Sequence, residues 1–335
     1  MHRPQVSGNY YEMGHIYGTD LYKYGFKLSE QPVEKVEFAT RSEKEVQRIF
    51  PEVLDEIHGL AEACQASYEN MLAFLLGIGT FTEEGGCSEF AALNGTDIVF
   101  GRNYDFYYKF KDYTESYVTL PEDAYSSLGH SDIFVGREDG LNENGLAIAI
   151  SFVGPISIDP GVNFPMAVRC ILDKCANVEE AVKVLSNTSF STTNNYLLAD
   201  RDGNLAVVEA SSGKVRVRRP EADQPYMVAT NHFMHPDMLE MEENAKRDPT
   251  TAERYSAIST DLEQQHGRVD AQAAQKILSS HNGSVCSHMD DIQLGTLWSV
   301  IATLRQPQLY RAEGNPCKME YQLDQRLTLV TGERS

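Results

Sequence analysis

The sequence predicts an α+β protein of layered helices and antiparallel sheets, and three observations lead there. Up to about residue 80 the apolar side chains recur at helical spacing. From Cys87 onward short β-type runs alternate with turn signals. The later helices stand apart from hairpin-connected strands instead of alternating with them one for one, which argues against a doubly wound parallel sheet.

The elements follow in order. Residues 10–28 form one helical stretch and residues 43–76 a charged amphipathic one, broken at Pro51, with Ser42 as cap and Glu45 three positions on. Strand runs 90–93 and 98–106 flank Asn94-Gly95-Thr96-Asp97, a hairpin signature. Runs 132–139 and 145–153 flank Asn142-Glu143-Asn144-Gly145, and runs 195–200 and 204–210 flank Arg201-Asp202-Gly203, with 214–220 after them. Helices are expected at 165–175, at 178–185 with Asn177 as cap, and at 234–246, 251–265 and 271–280. Strands return at 297–304, 307–312 and 319–323. No internal repeat or low-complexity tract interrupts this order.

Composition narrows the functional class. The chain has 335 residues, 41% hydrophobic and 23% charged, enough for a sizeable core. Its net charge of −20 repels phosphate backbones and anionic lipid, so neither nucleic acid nor a membrane is expected as partner. The longest apolar run, residues 71–78, is far short of the ~20 residues of a membrane span. The N-terminal segment lacks the apolar core of a signal peptide, and the six cysteines are scattered. Reduced thiols in the cytoplasm are therefore expected.

Chemistry concentrates where helices give way to strands, at Glu83-Glu84-Gly85-Gly86-Cys87-Ser88. A cut between Gly86 and Cys87 would give Cys87 a free α-amine. Such an amine, with a pKa of about 7.7–8.0, can take the thiol proton without a histidine. The same thiol can make the cut by attacking the Gly86 carbonyl, and glycine tolerates the close approach this needs. Taken alone, Gly-Gly-Cys also reads as a buried strand cysteine after a loop. Hairpin pairing, however, would bring Gly101-Arg102-Asn103-Tyr104-Asp105 beside the cysteine, making Arg102 and Asp105 candidates to orient amine and thiol. The alternative for those two is an ordinary surface ion pair.

With these residues in view, nearly the whole chain resembles the cysteine N-terminal-nucleophile hydrolases. These comprise the choloylglycine hydrolase family (bile salt hydrolases and penicillin V acylases) and the acyl-coenzyme A:6-aminopenicillanic acid acyltransferase family. Cys87 matches the nucleophile, residues 101–105 the Gly-Arg-Asn-x-Asp strand, and residues 140–146 the Gly-x-Asn-Glu-x-Gly-Leu turn. Thr230-Asn231 matches the segment whose asparagine lines the oxyanion hole, and Arg254 the distal arginine, with Arg247 nearby. The long leader and the segment Gly8-Asn9-Tyr10-Tyr11-Glu12-Met13-Gly14 resemble the acyltransferase branch.

The resemblance implies a four-layer αββα sandwich of two antiparallel sheets flanked by helices. It also implies a leader, 1–86, that becomes a propeptide or small subunit after self-cleavage, and a catalytic domain, 87–335. The implied activity is cleavage or transfer of the acyl group of linear amides or thioesters through a Cys87 acyl-enzyme, with small-molecule substrates and neither metal nor organic cofactor. In this scheme Asn231 and a backbone N–H near Ser151 hold the oxyanion, and Arg254 supplies positive charge to the pocket. One departure stands out: where bile salt hydrolases place asparagine and penicillin V acylases tyrosine, this chain has Ser151 and Phe152. A narrow bile-acid or penicillin V specificity is therefore the alternative reading, and an uncleaved, silent binding protein of the same fold is another. Oligomeric state is left open, homo-oligomers being common among soluble enzymes.

Cys286-x-His288, with His281, Asp290 and Asp291 near, falls short of a metal signature because no second Cys/His pair follows at a matching spacing. Cys64 and Cys317 have no informative context, Cys170 and Cys175 are expected to pack in the core, and Trp298 likewise.

Overall fold

The computed structural model describes residues 1–80, 85–154, 158–242 and 250–327. In chain order, β1 (Gln5–Gly8) and helices α1 (Tyr10–Lys23), α2 (Val33–Ile49), α3 (Glu52–Ala63) and α4 (Tyr68–Leu76) precede β2 (Gly86–Leu93) and β3 (Ile98–Tyr107). Strands β4 (Glu115–Pro121), β5 (Ser127–Ser131), β6 (Asp139–Asn142) and β7 (Ala147–Phe152) follow, then α5 (Phe164–Lys174) and α6 (Val178–Ser186). Next come β8 (Asn194–Ala199), β9 (Leu205–Ser211), β10 (Lys214–Arg218) and β11 (Tyr226–Ala229), and helices α7 (Pro236–Glu242), α8 (Thr251–Gln264) and α9 (Ala271–Leu278). The chain closes with β12 (His288–Met289), β13 (Leu294–Thr303), β14 (Gln308–Ala312) and β15 (Gln322–Asp324).

Among the described residues these strands form two sheets, one of eight strands in the order β1-β4-β5-β6-β7-β8-β9-β10 and one of seven built on β11-β2-β3-β13-β14-β15. Strand alternation sorts the side chains into three apolar layers. Phe100 and Tyr104 of β3 and Ala147 and Ala149 of β7 meet between the sheets. Ile148 and Ile150 face the leader helices and α5, whereas Phe90 and Val99 face α8 and α9. The result is the expected α+β arrangement of helix, sheet, sheet, helix. No helix among the described residues is long and apolar enough to cross a membrane.

Three expectations are corrected. The leader begins with a strand: β1 pairs in parallel with β4, Val6 opposite Thr119. Ser42 does not cap a helix. The apolar spacing runs back to Val33, Pro32 stands at the boundary, and the buried Ser42 hydroxyl accepts from the Gly161 N–H at 3.1 Å. Residues 132–138 are no strand, because Val135 takes a left-handed φ of 66° that a β-branched residue in a ladder does not adopt. Of the helix expected at 234–246, residues 243–246 lie outside the described residues.

The leader is bound into the body by buried polar contacts as well as by apolar packing. Arg169 of α5 meets Glu56 of α3 at 3.1 Å and Asp173 at 2.8 Å, and Asp173 accepts from the Tyr10 hydroxyl at 2.9 Å. Tyr17 donates to Glu115 at 2.6 Å.

Candidate active site

The β2–β3 hairpin forms because Asn94 closes its turn, accepting from the N–H groups of Thr96 at 3.1 Å and Asp97 at 2.7 Å. Its register sets Cys87 opposite Tyr104, Gly86 opposite Asp105 and Glu89 opposite Arg102. Space asks for glycine at both positions before Cys87, strictly at Gly85 and more mildly at Gly86. A Cβ at Gly85 would lie 2.6 Å from the Phe106 ring, and one at Gly86 would lie 3.3 Å from the Asp105 Cβ. Gly86 itself is ordinary strand backbone, so crowding sets this requirement at Gly86 and unusual dihedral angles do not.

Cys87 is 3% exposed and faces the space between the sheets. Burial pushes its thiol up to about 12, outweighing the pull of the Arg102 guanidinium, so the intact chain holds a protonated thiol at neutral pH. Arg102 Nη2 lies 3.4 Å from the Cys87 sulfur and donates to the Ile150 carbonyl at 3.1 Å. Its Nη1 donates to Asp139 at 2.6 Å. Asp139 also accepts from Trp298 Nε1 at 2.9 Å and pairs with His130 at 2.5 Å. Burial alone would raise the Asp139 carboxyl, but His130 and Arg102 hold it down to about 2. Tyr104 and Trp298 stack at 3.9 Å beneath the guanidinium, so the lone tryptophan is both core and hydrogen-bond donor.

Asn231 follows β11 and joins the same knot. Its Oδ1 accepts from the Cys87 main-chain N–H at 2.8 Å and from Arg254 Nη2 at 2.8 Å. Its Nδ2 therefore faces the Phe152 carbonyl at 2.8 Å and the Gly85 carbonyl at 3.4 Å. Arg254 of α8 is buried and also donates to the Cys87 carbonyl and to the Ser88 hydroxyl at 3.1 Å. It thus clamps β2 and Asn231 and is not part of the pocket wall, contrary to the expected role as pocket charge. Arg247 lies outside the described residues. Asp105 accepts from the Thr296 hydroxyl at 2.6 Å. Ser151 gives its hydroxyl to the Thr230 carbonyl at 2.9 Å, while Phe152 lines the pocket.

A cavity of about 370 Å³ opens at Cys87. Its walls are mostly apolar: Phe74 and Ile78 from the leader, with Phe106, Phe110, Phe152 and Phe164. The wall also holds two buried acids, Asp132 and Glu138. Burial raises both Asp132 and Glu138, Glu138 far above the carboxylate range, and Asp132 accepts from the Tyr104 hydroxyl at 3.1 Å. No lysine, arginine or histidine lines this cavity among the described residues.

Sequence reasoning missed several of these groups. Glu89 sits two residues beyond Cys87, fully buried, with Arg102 Nε at 3.7 Å, and burial pushes its carboxyl up to about 8. Strand alternation could have placed it on the Cys87 face. Asn195 donates to the carbonyls of Thr230 at 2.7 Å and His232 at 2.8 Å, fixing the backbone on both sides of Asn231. Nothing local in the sequence marks it. The turn at residues 140–146 proves architectural: Asn142 accepts from the Leu146 N–H at 3.1 Å and donates to the Leu172 and Cys175 carbonyls, and Gly145 takes φ 78°.

Residues 92–318 match the family described as acyl-coenzyme A:6-aminopenicillanic acid acyl-transferase. The match covers Arg102, Asp105, Asn231 and Arg254 and begins just past Cys87. No curated protein sequence matches the chain. Two solved structures of conjugated bile acid hydrolase from Clostridium perfringens superpose with TM-score 0.53 at 16% and 17% identity, covering 70% of this chain and 92% of theirs. Penicillin V acylase from Agrobacterium tumefaciens gives TM-score 0.42 at 19% identity, covering 71% and 84%. The bile acid hydrolase superpositions show that this chain and those proteins share a fold.

Proposed function

The chain belongs to the acyl-coenzyme A:6-aminopenicillanic acid acyl-transferase family, and from that membership we propose that it is a self-processing enzyme that cleaves or transfers the acyl group of linear amides through Cys87. In the first step the Cys87 thiol attacks the Gly86 carbonyl carbon and gives up its proton, which passes to the Cys87 nitrogen. The C–N bond then breaks, and the acyl group moves to sulfur. Water then hydrolyses the thioester, leaving a Gly86 carboxylate and a Cys87 with free amine and thiol. The 1–86 leader stays bound as a small subunit, since its contacts through Arg169, Asp173 and Glu115 do not involve the cut.

The freed α-amine is the base that the buried thiol lacks in the intact chain. Arg102 faces the sulfur, and Asp105 stands opposite Gly86, one residue before the new amine. When Gly85 withdraws, Asn231 Nδ2 is left to hold the oxyanion of an incoming amide; one such donor typically carries ~3–4 kcal/mol of transition-state stabilisation. The amine returns its proton to the leaving group, and water or an acceptor amine resolves the acyl-enzyme. One observation carries this reading. A single cysteine has Arg102 Nη2 at 3.4 Å from its sulfur and Asn231 Oδ1 at 2.8 Å from its own nitrogen, at the wall of an apolar cavity.

The cavity favours a neutral, apolar acyl group, because its walls are mostly apolar and no lysine, arginine or histidine lines it among the described residues to pair with a carboxylate. Intact-mass measurement is expected to give two pieces dividing between Gly86 and Cys87. A panel of N-acyl amino acids, penicillins, conjugated bile acids and acyl-thioesters should release acyl product from its neutral, apolar members. A single uncut mass after long incubation, with no release from the panel, would instead identify a silent binding protein of the same fold.

A further inference from the structure

Away from Cys87 the fold gathers four side chains that the sequence keeps apart. His281 follows α9, Cys286 leaves the short 3-10 turn Asn282–Ser284, His288 opens β12, and Cys317 lies in the turn after β14. Their ligand atoms all lie within 4.8 Å of one another. His288 Nε2 stands 3.4 Å from the Cys286 sulfur and 3.1 Å from the Cys317 sulfur. The His281 and His288 rings meet edge to face at 5.3 Å.

From this convergence of two thiols and two imidazoles we propose a Cys2His2 site for a zinc-class divalent ion, liganded by His281, Cys286, His288 and Cys317. A tetrahedral zinc with bonds of about 2.3 Å to sulfur and 2.0–2.1 Å to nitrogen separates its ligand atoms by roughly 3.3–3.8 Å; the two His288–sulfur distances, 3.4 and 3.1 Å, lie near that range, and the whole set within 4.8 Å needs only a small contraction to reach it. Hydrogen bonding alone accounts poorly for the centre, since one ring nitrogen offers either one hydrogen or one lone pair to two sulfurs. The soft nitrogen–sulfur set excludes magnesium and calcium. Four protein ligands close the coordination sphere, which makes the site structural. Binding releases the two thiol protons, and two thiolates balance the ion's charge.

Such an ion pins the connection between α9 and β12 to the turn after β14, where Asn315 already donates to the Ser287 carbonyl at 2.8 Å. It also reaches the active site. Ser287, next to ligand Cys286, donates its N–H to Thr296 Oγ1 at 3.2 Å, and that hydroxyl donates to Asp105 at 2.6 Å.

Elemental analysis of the full chain, purified under reducing conditions from zinc-supplemented cells, is expected to find about one zinc per chain. Cobalt added after chelation should give the thiolate-to-cobalt charge-transfer band of a tetrahedral site. His281→Ala, at an exposed position, and Cys317→Ser should each lower metal content and zinc affinity at least tenfold, while Cys64→Ser keeps both. The proposal is overturned if the reduced wild-type chain takes up neither metal, if a Cys286/Cys317 disulfide forms and its reduction restores no metal binding, or if His281→Ala binds zinc as tightly as wild type. None of these readouts depends on Cys87 chemistry, so they are independent of the proposed acyl transfer.

Discussion

Cys87 and Cys286 are almost equally dry, at 3% and 2% exposure, yet they are held by different means. Cys87 sits on a regular strand whose ladder to β3 fixes its position, with the Arg102–Asp139 ion pair and the buried acids Glu89 and Glu138 around it. Cys286 emerges from irregular backbone, with imidazoles and a second thiol as neighbours. A sheet can position a reactive sulfur by itself. Cys286 depends instead on turns that converge beside β12, so the sulfur proposed as nucleophile and the sulfur proposed as ligand are held by different backbones.

The largest effect that separates the two comes from Cys87→Ala. It should abolish both self-cleavage and amide turnover, read as one uncut mass and no acyl release, while leaving metal content at wild-type level. Parallel loss of metal would mean the two sites are not distinct. An intermediate effect is expected for Asp139→Asn, which strips Arg102 of its 2.6 Å carboxylate partner. Breaking a buried pair costs about 3–5 kcal/mol, read as a fall in Tm on the order of 10 °C, with slower thiol alkylation at Cys87 as the local sign. Equal Tm values for wild type and variant would show that Glu89 and Glu138 suffice to hold the guanidinium.

The smallest effect concerns Glu89. Its carboxyl is raised to about 8 in the folded chain, first by burial, so the folded state holds a proton that the unfolded state gives up near 4.5. That contribution to stability is complete below about pH 4.5 and is lost as pH rises through about 8. Glu89→Gln should flatten the decline of Tm between these limits; an unchanged slope would assign the decline to other carboxyls.

The parts of the site legible in the sequence are those that the backbone delivers locally. A hairpin turn at Asn94 to Asp97 was enough to bring Arg102 to the Cys87 face and Asp105 opposite Gly86, and the resemblance at Thr230-Asn231 pointed to the asparagine that accepts from the Cys87 N–H. Asp139 and His130 were hidden because their strands belong to the other sheet and meet Arg102 only when the two sheets stack. Cys317 looked contextless for the same reason: its partner lies across a strand pair, with no spacing rule to connect them. The strand at the very start of the leader was masked by the longer helical pattern behind it.

The crowding at Gly86 has a consequence for direction. Under the proposed cut, the fresh carboxylate hangs on the Gly86 Cα, which stands opposite Asp105 in the ladder. Two negative charges that close, in so dry a place, drive each other apart. If the chain cuts itself as proposed, rejoining would have to work against that repulsion, and the cut would act as a one-way latch at the doorway of the cavity.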